Sequence, residues 1–269
     1  MNQYKIEAGT AQHIGDRPEQ QDRVALFVAP KATGYMMAVL ADGMGDLNGG
    51  ALAAEQVIHT AQQIFERFSP LTDNIETMLE SIAHEAHTII RLSHISSEKE
   101  RHSTLVILIL TSEGNAIWAH AGDSRLYRFS GPNCVERTVD HSYIEKLASE
   151  GRLTRREDAK SHHFSGMLTN AIGIGENRPF VTIKRHDGLK AGDAFLLCSD
   201  GLWQYFTDCE LGAAIVMNTP RQAAEMLIKK ARARAAGSPA DNCSMAIIKL
   251  VIPPKEIKDY KIKKMRRAV

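Results

Sequence analysis

Three aspartates stand where an apolar run gives way to a glycine or a polar turn: Asp42 in AVLADGMGD, Asp200 in FLLCSDGLW and Asp241 in SPADNCSMAII. Carboxylates sent from strand ends into one space repel one another unless a multivalent cation offsets their charge. An oxygen-only ligand set suits hard ions such as Mg2+ or Mn2+. Asp-Gly and Asp-Asn are also good turn pairs, and for any one of the three alone a turn is the better reading. A fourth carboxylate repeats the pattern, since Asp123 in HAGDSRLYRF lies between two apolar runs. Four such positions point to a common cause, a metal site without cysteine or histidine ligands.

The elements that must position these residues can be read from periodicity. Short apolar or β-branched runs at 35–40, 104–111, 115–121, 125–129, 194–198 and 244–252 predict strands. Apolar residues at three- and four-residue spacing predict amphipathic helices over 51–68, 74–93, 142–151 and 221–236. The strands arrive in groups, not in strict alternation with helices. That favours antiparallel sheets flanked by helices, an α+β class or an α/β sandwich.

The 269 residues, 43% of them apolar, suffice for one large core. No linker or internal repeat divides residues 1–252, so one domain is expected there. Residues 253–269 differ: the stretch after Pro253-Pro254 holds seven basic residues against Glu256 and Asp259, a net charge of +5. It reads as a solvated tail, or as a docking segment for an acidic partner or anionic surface. The whole chain carries a net charge of +1, which argues against a nucleic-acid binder. Four scattered cysteines give neither a disulfide framework nor a zinc site. The first residues do not read as a charged-then-apolar leader, and no apolar run approaches the roughly 18 residues of a spanning helix. A cytoplasmic protein is expected.

Five segments, in order, resemble the type 2C (PPM) family of metal-dependent serine/threonine phosphatases, bacterial type. They are GDRPEQQD (15–22), ADGMGDLNGG (41–50), GDSR (122–125), SDGLW (199–203) and DN (241–242), and the resemblance covers residues 6–252. It implies a four-layer sandwich of two antiparallel β-sheets with helices outside both, and two or three Mn2+ or Mg2+ ions at one end. Asp42 would bridge two ions with the Gly43 carbonyl beside it, Asp200 and Asp241 would complete the first ion's shell, and Asp123 would join Asp200 on a third. Asp22 would reach the metals through water, and Arg17 would grip the substrate phosphate, as a planar guanidinium can. The implied reaction is direct hydrolysis of phosphoserine or phosphothreonine by hydroxide bridging the ions. The implied substrate is a phosphoprotein, the product of a serine/threonine kinase.

The sequence also departs from the family pattern. Gln20-Gln21 replaces the usual Asn-Glu, removing one negative ligand, and Asp46 interrupts the glycine pair, which reappears as Gly49-Gly50. Met44 stands where eukaryotic members carry a histidine proposed as general acid; His162 and His163 are alternatives, although a solvent-facing histidine is the commoner case. His102 replaces a glycine at a strand start. Arg152, Arg155 and Arg156 lie in the segment that resembles the family's variable flap, and read as a solvated face or as contacts for acidic phosphopeptides. HEAH at 84–87 lacks the i,i+4 spacing of a zinc motif. Cys198 and Cys243 read as buried thiols. No cysteine is followed six positions later by arginine, so a cysteinyl-phosphate route has no loop to use. Two other functions stay open: a catalytically weak phosphatase-like binding protein, and a phosphatase of a small phosphorylated metabolite.

Overall fold

The computed structural model describes residues 4–46, 48–97, 101–152, 166–237 and 239–253. The chain opens with strands β1 (Lys5–His13), β2 (Asp22–Val28) and β3 (Met36–Gly45), then helices α1 (Gly49–Arg67) and α2 (Ile75–Ser97). Next come strands β4 (Arg101–Ser103), β5 (Leu105–Leu110), β6 (Asn115–Ala121), β7 (Arg125–Ser130) and β8 (Asn133–Arg137), and helix α3 (Tyr143–Ser149). The last part holds β9 (Thr182–Asp187), β10 (Asp193–Cys198), α4 (Asp200–Trp203), α5 (Asp208–Met217), α6 (Pro220–Arg234) and β11 (Cys243–Val251).

One sheet runs β1-β11-β10-β7-β8 and the other β2-β3-β5-β6-β9, with β4 also paired to β3. The pairings are antiparallel. Side chains alternate across each strand, so each central strand serves two cores. In the second sheet Ala38, Leu40, Val106 and Leu108 face the first sheet, where Phe195, Leu197, Ala246 and Ile248 meet them. The alternate residues Met37, Val39, Ile107 and Ile109 pack under α1 and α2. Leu196, Met245 and Ile247 of the first sheet likewise pack under α5 and α6. The architecture is the expected four-layer sandwich. Burial on both faces explains why β5 reads LVILIL with no polar alternation.

The helices begin where their caps dictate. Thr207 and Thr219 form capping boxes with Glu210 and Gln222, and Pro220 occupies the first turn of α6. No helix among the described residues is long and apolar enough to cross a membrane.

Candidate active site

The same alternation that builds the inter-sheet core delivers the carboxylates. Following the inward positions of β3 from Ala38 through Leu40 leads to Asp42, and those of β2 from Leu26 through Val24 lead to Asp22. The two aspartates lie opposite each other in the β2–β3 pairing. The inward positions of neighbouring strands turn polar at the same end, at Thr104 before β5, Ser199 after β10 and Ser244 in β11. The floor is knit by hydrogen bonds: the Asp42 amide donates to Thr104 Oγ1 (2.9 Å), Ser199 Oγ donates to Asp22 Oδ2 (2.8 Å), and the Ser244 amide donates to Ser199 Oγ (3.0 Å).

Three further aspartates close the space from the sides. Asp200 opens α4 directly after β10, Asp123 sits in the turn between β6 and β7, and Asp241 precedes β11. Trp203 of α4 donates its indole N–H to the Asp123 carbonyl (3.0 Å), tying the turn to the helix that carries Asp200. The α4 backbone and the approach to β11 are packed so tightly that a Cβ on Gly201 would lie 1.9 Å from the Asn242 carbonyl oxygen. Gly43 and Gly50 are in similar contact, since a Cβ on Gly43 would lie 2.0 Å from the Gly50 carbonyl oxygen. The Gly49-Gly50 pair therefore lets α1 start against the β3 end.

Burial and crowding raise the proton affinity of Asp22, Asp42, Asp123 and Asp200. Burial, then the charges of Asp22, Asp200, Asp123 and Asp241, hold Asp42 well above the usual carboxylate range. Asp200 is pushed up to about 8 by burial and by Asp123, Asp241 and Asp22. Burial pushes Asp22 up to about 6 against the opposing hydrogen bond from Ser199. Asp123 is raised to about 6 by burial and then by Asp140. A multivalent cation would relieve the mutual repulsion, and the donors are all oxygen, so the set fits hard divalent ions. Among the described residues, no three acidic, histidine or cysteine side chains already surround a single point as a metal cage. The aspartates face a shared space without clasping one centre.

Arg17, in the loop between β1 and β2, donates to Asp241 Oδ2 at 2.5 Å and is half exposed. The hydrogen bond to Asp241 holds its pKa above the ordinary arginine value, with Asp200 and Asp42 adding to the effect. The loop is stapled by Asn242, which accepts from the Gln21 amide (2.7 Å) and donates to the carbonyls of Ile14 (2.7 Å) and Glu19 (2.9 Å). Gln21 Nε2 donates to the Gly45 carbonyl (3.2 Å). Asp46 is exposed, and Met44 pairs across β3–β4 with His102. Cys198 and Cys243 are buried in the core beneath the outer helices; burial drives the Cys198 thiol well up and the Cys243 thiol to about 12. His87 of the HEAH stretch is buried and accepts from the Gly173 amide (3.1 Å). Arg152 is exposed and pairs with Glu150 at 3.3 Å. Arg155, Arg156, His162, His163 and residues 254–269 lie outside the described residues.

Residues 9–235 match the family model described as Protein phosphatase 2C. Protein phosphatase PhpP of Streptococcus pneumoniae is 30% identical over 87% of this chain and 93% of its own length. The serine/threonine phosphatase of S. agalactiae superposes with a TM-score of 0.81 at 25% identity, over 91% of this chain and 99% of that one. The catalytic domain of PstP, solved in complex with two manganese ions, superposes with a TM-score of 0.73 at 23% identity, over 91% and 98% of the two chains. A sandwich with a carboxylate cluster at one end defines the class, a metal-dependent protein phosphatase. The chain belongs to the protein phosphatase 2C family.

Proposed function

We propose that this enzyme hydrolyses phosphoserine and phosphothreonine in proteins phosphorylated by a serine/threonine kinase, using Mn2+ or Mg2+ held by Asp42, Asp200 and Asp241. The observation that carries this reading is the convergence of Asp22, Asp42, Asp123, Asp200 and Asp241 on one space, where the first four are raised by burial, Asp42 and Asp200 also by their neighbours in the cluster, and Asp22 also by Asp241. Asp42 and the Gly43 carbonyl would hold two ions, Asp123 would share a third with Asp200, and Asp22 would act through water. Bound ions supply Lewis acidity toward the phosphoryl group and lower the pKa of water, so that direct hydrolysis proceeds near neutral pH.

The protein's own groups have separate tasks. Arg17, half exposed and hinged on Asp241, grips the phosphoryl oxygens by exchanging one oxyanion partner for another. Asp22 keeps its carboxylate oriented by the Ser199 hydroxyl. Asp42 is fixed on both sides, by ladder pairing to β2 and, toward Thr104, by its amide donating to the Thr104 hydroxyl and its carbonyl accepting from the Thr104 amide. Such preorganisation places charge before the substrate arrives.

Residues 1–252 are read as the catalytic domain and 253–269 as a basic tail, a solvated end or a docking segment for an acidic partner; the domain is read as cytoplasmic. The test of the substrate class is a comparison of kcat/KM with Mn2+ on phosphothreonine peptides and on small phosphorylated metabolites. Preference for the peptides by about 10-fold or more supports the reading. Preference for a metabolite overturns it.

A further inference from the structure

The turn that carries Asp123 is held from a side that the aspartate cluster does not explain. His141, four residues past β8, grips both backbone groups of Gly122. Its amide donates to the Gly122 carbonyl (2.9 Å), and its Nδ1 accepts from the Gly122 amide (3.3 Å). Gly122 has a φ of 109°, and a Cβ there would lie 2.7 Å from Thr104 Cγ2, so this turn has one narrow shape to keep.

The imidazole is constrained to do this. Nδ1 meets a second donor, Asn170 Nδ2, at 2.8 Å. Two donors at one nitrogen require it to be the acceptor, which assigns the proton to Nε2, and Nε2 reaches Thr182 Oγ1 at 3.0 Å. The ring lies between His120 and Phe180, each with its ring centroid 4.4 Å away. Next to it, Asp140 accepts two bonds from the Arg125 guanidinium (2.8 and 2.7 Å), and Arg125 in turn lies 3.5 Å over the Trp203 ring. Asp140 and His141 therefore clamp the two ends of the Gly122–Arg125 turn, with Asp123 between them.

We propose that His141 is a positioning residue for Asp123: its neutral imidazole, with the proton on Nε2, fixes the Gly122 peptide and so aims the Asp123 carboxylate into the metal space. The inference rests on the reading of Asp123 as a metal ligand. Two substitutions separate its parts. His141→Phe keeps a ring between His120 and Phe180 but removes the acceptor. His141→Asn removes the ring but can set an amide oxygen where Nδ1 stood.

The experiment uses the full chain with Mn2+. Deuterium exchange of a peptide spanning residues 119–126 is measured together with the affinity of the weakest Mn2+ site. His141→Phe is expected to speed exchange there about fivefold or more, and to weaken that site about 10-fold. His141→Asn recovers most of both. The proposal is overturned if His141→Phe stays within about twofold of the wild type, or if His141→Asn is damaged equally, since packing alone would then explain the loss. Asp123→Asn runs alongside: an unchanged weakest site there removes Asp123 from the metal shell, while the exchange arm still decides whether His141 holds the turn. Should His141→Phe fail to fold, Thr182→Val strips the partner of Nε2. It is then expected to speed exchange of the same peptide, and no change overturns the clamp.

Discussion

Gly201→Ala should separate Asp200 from Asp241 without touching either side chain. The added methyl would begin 1.9 Å from the Asn242 carbonyl oxygen, with Cys243 Cα only 3.3 Å away. Neither contact is the end of a flexible side chain. The backbones of α4 and the β11 approach must part by about 1 Å before the methyl is tolerated, at a cost of about 1–3 kcal/mol in stability. A displacement of that size between groups that act together costs roughly 100-fold in rate. Gly212→Ala is the matched control, because its Cβ would meet the Pro132 carbonyl oxygen at 2.0 Å, on the outer side of the first sheet. Both variants should lose comparable thermal stability. With Mn2+ and a phosphothreonine peptide, corrected for the folded fraction, Gly201→Ala should lose about 100-fold in kcat/KM and Gly212→Ala less than about threefold. Equal activity in the two variants would refute the claim that the Asp200–Asp241 spacing is critical.

Arg17→Ala removes a charge-assisted contact of about 1.5–3 kcal/mol, so KM for a phosphopeptide should rise at least about 10-fold. An unchanged KM in steady-state assays would return Arg17 to a structural partner of Asp241. Without metal, stability should depend on pH in an unusual direction. Asp22 and Asp123 stand at about 6 and Asp200 at about 8, against the ordinary aspartate value of 3.8. The folded state then binds more protons than the unfolded chain between about pH 4 and 8, and stability falls as pH rises through that window. Thermal scans in chelator should show Tm declining from pH 5 to 8, and Mn2+ should flatten the slope; a rising metal-free Tm would contradict the assignment. Truncation after Ile252 should leave kcat/KM on a short phosphopeptide within about twofold, because a docking tail matters only to a partner that binds it. A larger loss would make the tail part of the catalytic unit.

The inner architecture was legible because its strands are buried on both faces. Runs such as LVILIL and DAFLLC have no reading other than core, and the Ala38-Leu40-Asp42 alternation carries Asp42 inward by parity alone. The edge strands were not legible. β1 (KIEAGTAQH) and β9 (TIKRHD) alternate weakly because only part of each is covered, and β2 and β8 share that mixed polarity. The sequence does not mark helix α5 because the exposed Ala213, Val216 and Met217 are as apolar as its buried residues and Gly212 sits in its middle, so no polar stripe sets it apart. Of the site, the motif order yields Asp22, Asp42, Asp123, Asp200, Asp241 and Arg17. It does not yield the Arg17–Asp241 contact across 224 residues, nor the Ser199 support for Asp22. Asn242 belongs to the DN pair at 241–242, yet its role as a staple depends on backbone carbonyls, which leave no mark on residue identity. His141 was hidden for the same reason.

The most direct test of the account is Mn2+-dependent phosphate release from a phosphothreonine peptide by the full chain, beside Asp42→Ala and Asp200→Ala. The account predicts negligible turnover in chelator, saturable activation by Mn2+ in the wild type, and a loss of at least about 1,000-fold in either folded variant. Turnover that is indifferent to Mn2+, or full activity retained in both variants, would contradict it.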